Sequence, residues 1–594
     1  MISPNSPMQF KFVGHQVILR IRNRVCETAD ELFASELFRE VLRHFVKELL
    51  RKDSPLLSIF ELPAGQTVSE SDLDQLTHVL QLLAKMPLDY VTRLVEEDHR
   101  FVRQPDILSN FVEQLYDYWR EFERFIVCDS EGDALDKRPY RTFNETIETL
   151  THLVRSVYRD VQENISGRHP QIYRQVTAGA EVAVIALPKL IPQPSECCHK
   201  LDGIGIIRQV LMYPPLLIQP PTNKRTGQFV RVQHNPLDDL QVDPNQWLCY
   251  PAKVGTLLIL IYFHEEFYEL GFALSNLFEL AEDEVLNRKA DAIFLFGVNE
   301  ECLDPNAAFA TQFYEDLSQG LLVGMIPRRK EYGYFGYLKK MTLTLHNVVM
   351  MQRGNFPYHG AMVRFLLKNG SEPTILIMGD TGTGKSETLE AFRAIGEEYI
   401  RQMVIIADDM GSLRITAQNR ILGYGTEVGA FVRLDDLHPG YAFGHLDRTI
   451  IMNPGQVNAR VVLPVTSYSN IVQGIPIDMV FYANNYEQVD DEHPIIEQFT
   501  TPEMAVDVFR RGIAMSKGTT TSTGLVQTYF TNIFGPPQYR QLHDRLAEQY
   551  FQAFFQQNIF VGQLRTRLGL PGWERKGPEE AAQALLQHLL KAST

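Results

Sequence analysis

The residues with the clearest chemistry run from Gly379 to Ser386: Gly379, Asp380, Thr381, Gly382, Thr383, Gly384, Lys385 and Ser386, a G-x-x-x-x-G-K-[ST] run. Glycines let a backbone wrap closely, so that successive N–H groups point at phosphate oxygens. Lys385 brings positive charge to the β- and γ-phosphates of a nucleotide, and the Ser386 hydroxyl suits Mg²⁺. The apolar run TILIM before the loop predicts a strand, and SETLEAFRAIG after it predicts a helix whose N-terminal dipole adds to the anion site. ATP is therefore the expected cofactor. Some twenty residues on, MVIIADD carries an apolar strand to Asp408 and Asp409 at its carboxyl end. Adjacent strand residues face opposite ways, so one carboxylate can serve a nucleotide-bound metal while the other serves a second site.

Around these residues the chain divides by texture. Residues 1–165 read as a mainly helical domain, with apolar positions three and four apart in ELFASELFREVLRHFVKELL (31–50) and SNFVEQLYDYWREFERFIV (109–127). No phosphate loop or metal-ligand set occurs there, which leaves packing or a protein partner as its expected use. From 166 to 353 short apolar runs such as AEVAVIALP, GTLLILIYF and ADAIFLFGV predict buried strands, and FALSNLFELAEDEVLNRKA (272–290) predicts a helix between them. From 354 to 594 a second α/β lobe follows, with strands at TILIMGD, QMVIIADD and DMVFYANN and a terminal amphipathic helix at 577–592.

Composition narrows the function classes. The net charge of −16 in 594 residues argues against a general nucleic-acid binder, whose footprint is basic. The most apolar run, Val254 to Phe263, is too short to span a bilayer. The beginning, MISPNSPMQFKF, lacks a basic region followed by an apolar one, and the six cysteines show no zinc-type spacing. A reducing cytoplasm is the expected compartment.

Over residues 330–535 the order of motifs resembles the ATP-dependent phosphoenolpyruvate carboxykinases. YGYFGYLKKMTLTLHNVV (332–349) is similar to the family's Y-G-G-E-M-K-K segment, Tyr358-His359-Gly360 to its M-H-C, Asp408-Asp409 to its G-D-D, and the G-T-G-K of the loop to its ATP-using class. GTEVGAFVRL (425–434), Asn458-Ala459-Arg460, and Lys517-Gly518-Thr519 with QTYFTNIFG (527–535) resemble three further segments.

The resemblance implies a two-lobed α/β core with a P-loop lobe. Lys340, His359 and Asp409 would hold Mn²⁺, with Lys339 beside them; Asp408 and Ser386 would hold the nucleotide Mg²⁺. Arg460 would bridge substrate and γ-phosphate, and Tyr334 would lie on the substrate side. Glu427, Lys517 and Thr519 would line the nucleotide site. Taken singly, Lys340 and His359 read as a surface lysine and a core histidine; taken in order with the phosphate loop they read as ligands. The family's T-G-R-S-P-K-D-K has no clear copy; Arg225-Thr226-Gly227-Gln228 occupies a comparable region in another order. Tyr337 replaces the glutamate of Y-G-G-E. Three functions therefore stay open: carboxykinase chemistry, in which oxaloacetate is decarboxylated and the enolate phosphorylated by ATP; a kinase acting on a hydroxyl of a small molecule or protein; and an ATP-holding regulator without turnover.

Overall fold

A computed structural model describes residues 8–21, 26–52, 54–62, 66–95, 99–129, 137–167, 179–188, 196–213, 215–396, 398–434, 448–516, 524–535 and 537–592. The protein is a mixed α/β chain, 39% helix and 29% strand. Its contacts divide it into two units, Met1–Leu187 with Ile207–Tyr213, and Pro188–Ile206 with Pro214–Thr594. No described helix is long and apolar enough to cross a membrane.

The first unit is helical where the sequence periodicity says so. Ser35 separates two helices within 31–50, because its side chain accepts from the Phe38 N–H and starts Glu36–Arg51. Ser69 and Asp72 form a capping box for Glu70–Leu83. Leu42, Phe45, Leu76 and Phe111 bury the facing stripes of these helices.

The unit also holds strands that the reading of 1–165 as mainly helical passes over. Met8–Val13 and Gln16–Ile21 form an antiparallel hairpin, and Glu123–Asp129 lies parallel to Gln16–Ile21. The helix expected through residue 127 ends at Glu121. Past Phe122 the chain is extended, paired with Gln16–Ile21 on one side and Val182–Pro188 on the other. Strand pairing on both edges outweighs the apolar spacing that suggested a longer helix.

In the second unit a mixed sheet runs Trp247–Val254, Leu257–His264, Ala292–Val298, Leu321–Pro327, Gln312–Asp316 and Val230–Val232. The helix expected over 272–290 is not formed. Tyr268–Ala273 is helical, but Glu279–Leu280 pairs with the edge of Trp247–Val254, and only single 3₁₀ turns flank it. The Tyr250 hydroxyl donates to the Phe278 carbonyl at 2.6 Å, an acceptor that a continuing helix would have used internally.

A second sheet has Phe356–Leu367 at its heart. This central strand is antiparallel to Thr374–Met378 on one edge and to both Ile400–Ala407 and Met410–Ile415 on the other. Met479–Asn484 and Phe560–Arg565 continue the sheet beyond Thr374–Met378. The helices Lys385–Ile395 and Lys576–Ala592 cover one face over Phe365, Phe392, Phe481 and Leu585. A small sheet of Gly429–Arg433, Arg460–Pro464, Ile450–Met452 and Leu216–Ile218 completes the unit.

Candidate functional site

The central strand explains why distant motifs meet. It pairs with Met410–Ile415 through residues 356–359 and with Ile400–Ala407 from Met362 onward. Asp408 and Asp409 fall in the irregularity between these two pairings. The Gly360 N–H donates to the Asp409 carbonyl at 2.9 Å, which seats Asp409 beside His359. On the other edge the Gly379 N–H donates to the His359 carbonyl at 3.1 Å, which brings the glycine loop to the same corner. Gly360 leaves no room for a side chain here: a Cβ would lie 2.4 Å from the Ile377 carbonyl oxygen.

Asp409 is the hub. One oxygen receives Lys339 Nζ at 2.7 Å and the other lies 2.9 Å from His359 Nε2. Lys339 also reaches Glu427 at 2.9 Å. Burial pulls the Lys339 amine down, but the two facing carboxylates outweigh it and hold its pKa above the ordinary lysine value. Burial pushes Asp409 up, and Lys339 and His359 more than reverse this, so it titrates well below the usual carboxylate range. For Glu427 burial wins over Lys339 and its pKa rises to about 7.

His359 is oriented from behind. Its Nδ1 faces the Thr531 carbonyl, which can only accept, so Nδ1 carries the proton. Nε2 is then left to Asp409. Two acceptors at this distance require a cation between them, either a proton on Nε2 or a metal, and a backbone carbonyl behind a histidine is the usual support of a metal ligand.

Lys340, expected to join His359 and Asp409, does not pair with Asp409 in the structure. Lys339 is the lysine on Asp409; Lys340 Nζ lies over the Phe534 ring, 4.6 Å from its centroid. The two lysines belong to one helix, Phe335–Gln352. Successive helix residues project about 100° apart, so only one of the pair can face the acid. Burial and then the nearby Arg225 guanidinium lower the Lys340 pKa to about 8.

The loop stands between strand and helix, Thr374–Met378 and Lys385–Ile395. Gly384 has φ +91°, and a Cβ there would lie 2.6 Å from Thr566 Oγ1, so the position demands glycine. The Thr566 hydroxyl donates to the Thr383 carbonyl at 2.7 Å, Asn485 Nδ2 donates to the Gly382 carbonyl at 2.9 Å, and Thr383 Oγ1 donates to the Asp380 carbonyl at 2.7 Å. Lys385 Nζ folds back onto the carbonyls of Gly379 and Asp380 at 2.7 and 2.9 Å. Thr381 and Ser386 are exposed at the loop's open side.

Of the remaining residues, Tyr334 is buried at the start of the lysine helix, and burial raises its pKa against the opposing pull of the nearby Arg460 guanidinium. Arg460 opens the strand Arg460–Pro464 with its guanidinium 5.5 Å from the Phe431 ring centroid. Arg225 is close enough to bias both Tyr334 and Lys340 electrostatically. Glu427 sits with Lys339 rather than at the loop. Asp408 is near enough to Glu427 to raise its pKa further. Lys517 and Thr519 lie outside the described residues.

Sequence reasoning singled out neither Thr531 nor Phe534 individually, although both lie in the QTYFTNIFG segment; it passed over Thr344 and Arg540, which carry no local signal. Comparison of the chain with protein-family models and with curated proteins finds no match.

Proposed function

We propose that this chain is an ATP-dependent phosphoryl-transfer enzyme resembling phosphoenolpyruvate carboxykinase. The observation that carries the reading is the corner built by the central strand, where the loop bearing Lys385 and the His359–Asp409 pair share hydrogen bonds to neighbouring residues. In this reading the amides of the Gly379–Gly384 loop and Lys385 bind the triphosphate of ATP. Ser386 and Asp408 hold Mg²⁺; His359 and Asp409 hold Mn²⁺, with Lys339 balancing the buried acids. Bound divalent cations supply charge neutralisation for the transferring phosphoryl group. Arg460 and Arg225 orient an anionic acceptor, with Tyr334 on the substrate side near Arg460. For such transfers positioning and electrostatics are most of the catalysis.

With oxaloacetate, loss of CO₂ leaves an enolate whose oxygen attacks the γ-phosphorus as the bond to ADP breaks. The products are phosphoenolpyruvate, ADP and CO₂. A second reading, a kinase acting on a hydroxyl, is favoured by one feature: Glu427, with its pKa raised to about 7, has the proton affinity a general base needs near neutrality. ADP release is measured with ATP, Mg²⁺ and Mn²⁺, with and without oxaloacetate. Release that requires oxaloacetate and disappears in Lys385→Met supports the carboxykinase reading; release only with hydroxyl acceptors moves the assignment to the kinase. Nucleotide binding with no turnover for any acceptor refutes both and leaves the regulator.

The setting assigned to this reading is the cytoplasm, with the helical first unit as the surface for a protein partner.

A further inference from the structure

Beside the acid cluster the second unit has a cavity of about 310 Å³, within the range of metabolite sites. Its described lining contains three cationic side chains, Arg225, Lys340 and Arg540, and no carboxylate. Cations this close are ordinarily cancelled by acids. Here each is seated instead over an aromatic ring: Arg225 5.3 Å from the Phe229 centroid, Lys340 4.6 Å from Phe534, and Arg540 4.4 Å from Tyr529. A ring face orients a cation without neutralising it, so the positive charge remains available to a ligand.

A second feature is independent of charge. Thr344 is 1% exposed, lines the cavity, and its hydroxyl has no hydrogen-bond partner among the described residues. Two residues earlier on the same buried helix, Thr342 satisfies its hydroxyl by donating to the Leu338 carbonyl at 2.9 Å. A buried hydroxyl left unmade loses free energy unless something else completes it. Thr344 is therefore the polar group of a wall that lacks its counterpart.

We propose that this cavity binds a small organic polyanion, a carboxylate- or phosphate-bearing metabolite with at least two negative charges, held by Arg225, Lys340 and Arg540 and hydrogen-bonded by Thr344. The volume exceeds what a single inorganic ion fills, and the apolar wall from Met351 and Ile533 suits a carbon skeleton. The proposal shares Arg225 with the acceptor assignment and rests on that reading to this extent; occupancy is measured without nucleotide or divalent metal, so the two fail separately.

The test is calorimetric titration of the full chain at pH 7 and low salt with tricarballylate, glycerol 3-phosphate and inorganic phosphate. Tricarballylate or glycerol 3-phosphate should bind, each at least tenfold tighter than inorganic phosphate; which of them binds tighter distinguishes carboxylate from phosphate chemistry. Arg540→Ala and Lys340→Met should each weaken the tighter ligand at least tenfold. Thr344→Val, which keeps the shape of the wall, should weaken it severalfold. Because Arg540 is exposed, its loss is not a folding defect. Three results would overturn the proposal: no binding of either organic anion to the wild type, affinities unchanged in both Arg540→Ala and Thr344→Val, or competitive displacement by ATP in a chain whose loop is intact. Failure of ATP to turn over in the same preparation would touch the phosphoryl-transfer reading alone.

Discussion

Lys339 and Lys340 are neighbours in the chain with opposite electrostatic surroundings, and replacing each by methionine should move stability in opposite directions. Lys339 is 2% exposed and is the cation between two buried carboxylates, Asp409 and Glu427. Removing it leaves uncompensated negative charge, a loss of about 3–5 kcal/mol. Unfolding entropy near 2 cal/mol/K per residue, over a unit on the order of 400 residues, turns that into a melting temperature lower by roughly 4–6 °C. Lys340 has no acid within ion-pairing distance among the described residues, and its pKa falls from 10.5 to about 8. Fully counted, that drop is a penalty on the order of 3 kcal/mol for carrying the charge at neutral pH. Its partial exposure to water reduces this to about 1–2 kcal/mol.

Lys340→Met should therefore raise the melting temperature by about 1–2 °C at pH 7. The sign with pH is fixed: the folded pKa lies below the unfolded one, so the penalty is complete below about pH 8 and fades as pH rises towards 10.5. Differential scanning calorimetry from pH 6.5 to 10 should show the gain of Lys340→Met shrinking over the upper part of that range. Equal destabilisation by both substitutions, or a pH-independent effect of Lys340→Met, would refute the division of labour between the two lysines.

Gly384→Ala should reduce ATP binding at least about tenfold while lowering stability by only about 1–3 kcal/mol, since it forces a left-handed residue against Thr566; equilibrium dialysis and thermal melts separate the two effects. Affinity of the cationic cavity for an organic anion should fall as pH rises through about 8, because burial, Arg225 and Lys339 outweigh the opposing pull of Asp409 and Asp380 and Lys340 then loses its charge; titrations at pH 7 and pH 9 check it. Mn²⁺ binding, followed by electron paramagnetic resonance, should be weakened at least about a hundredfold by His359→Gln. In the wild type it should strengthen with rising pH, because metal ligands bind in their deprotonated form.

The loop and the acid pair were legible because their chemistry is local. TILIM is apolar and bounded, Gly382 and Gly384 supply the positive φ a tight turn needs, and both features survive in the structure at Thr374–Met378 and φ +78° and +91°. The terminal helix was legible for the same reason, its apolar positions falling on one face of Lys576–Ala592. What was not legible depends on register and rotation. Nothing in K-K says which lysine of a helix turns to the acid; that is set by how Phe335–Gln352 packs. The N-terminal hairpin had a signal that helical spacing obscured: MQFKFV and QVILRI flank Gly14, which takes φ +61° at the turn. Thr344 and Arg540 join the site only through tertiary packing, so no window of sequence around either could reveal them.

The two lysines also suggest how such a site separates its tasks. A phosphoryl-transfer centre must hold acids for metals and cations for anions within a few ångströms without the two sets cancelling. One helical step of about 100° does this: Lys339 is spent on Asp409 and Glu427, while Lys340 is turned into a cavity where aromatic rings, not acids, face the cations. Exchanging the roles would need a rotation of the whole helix, which Tyr334, Phe335 and Leu338, all buried in the packing around it, oppose. The consequence is directional. A substitution that repels Lys339 from Asp409 should impair the metal corner and leave anion affinity in the cavity largely intact, whereas one at Arg540 should do the reverse. A protein in which both properties fell together in either variant would have one fused site instead of two adjoining ones.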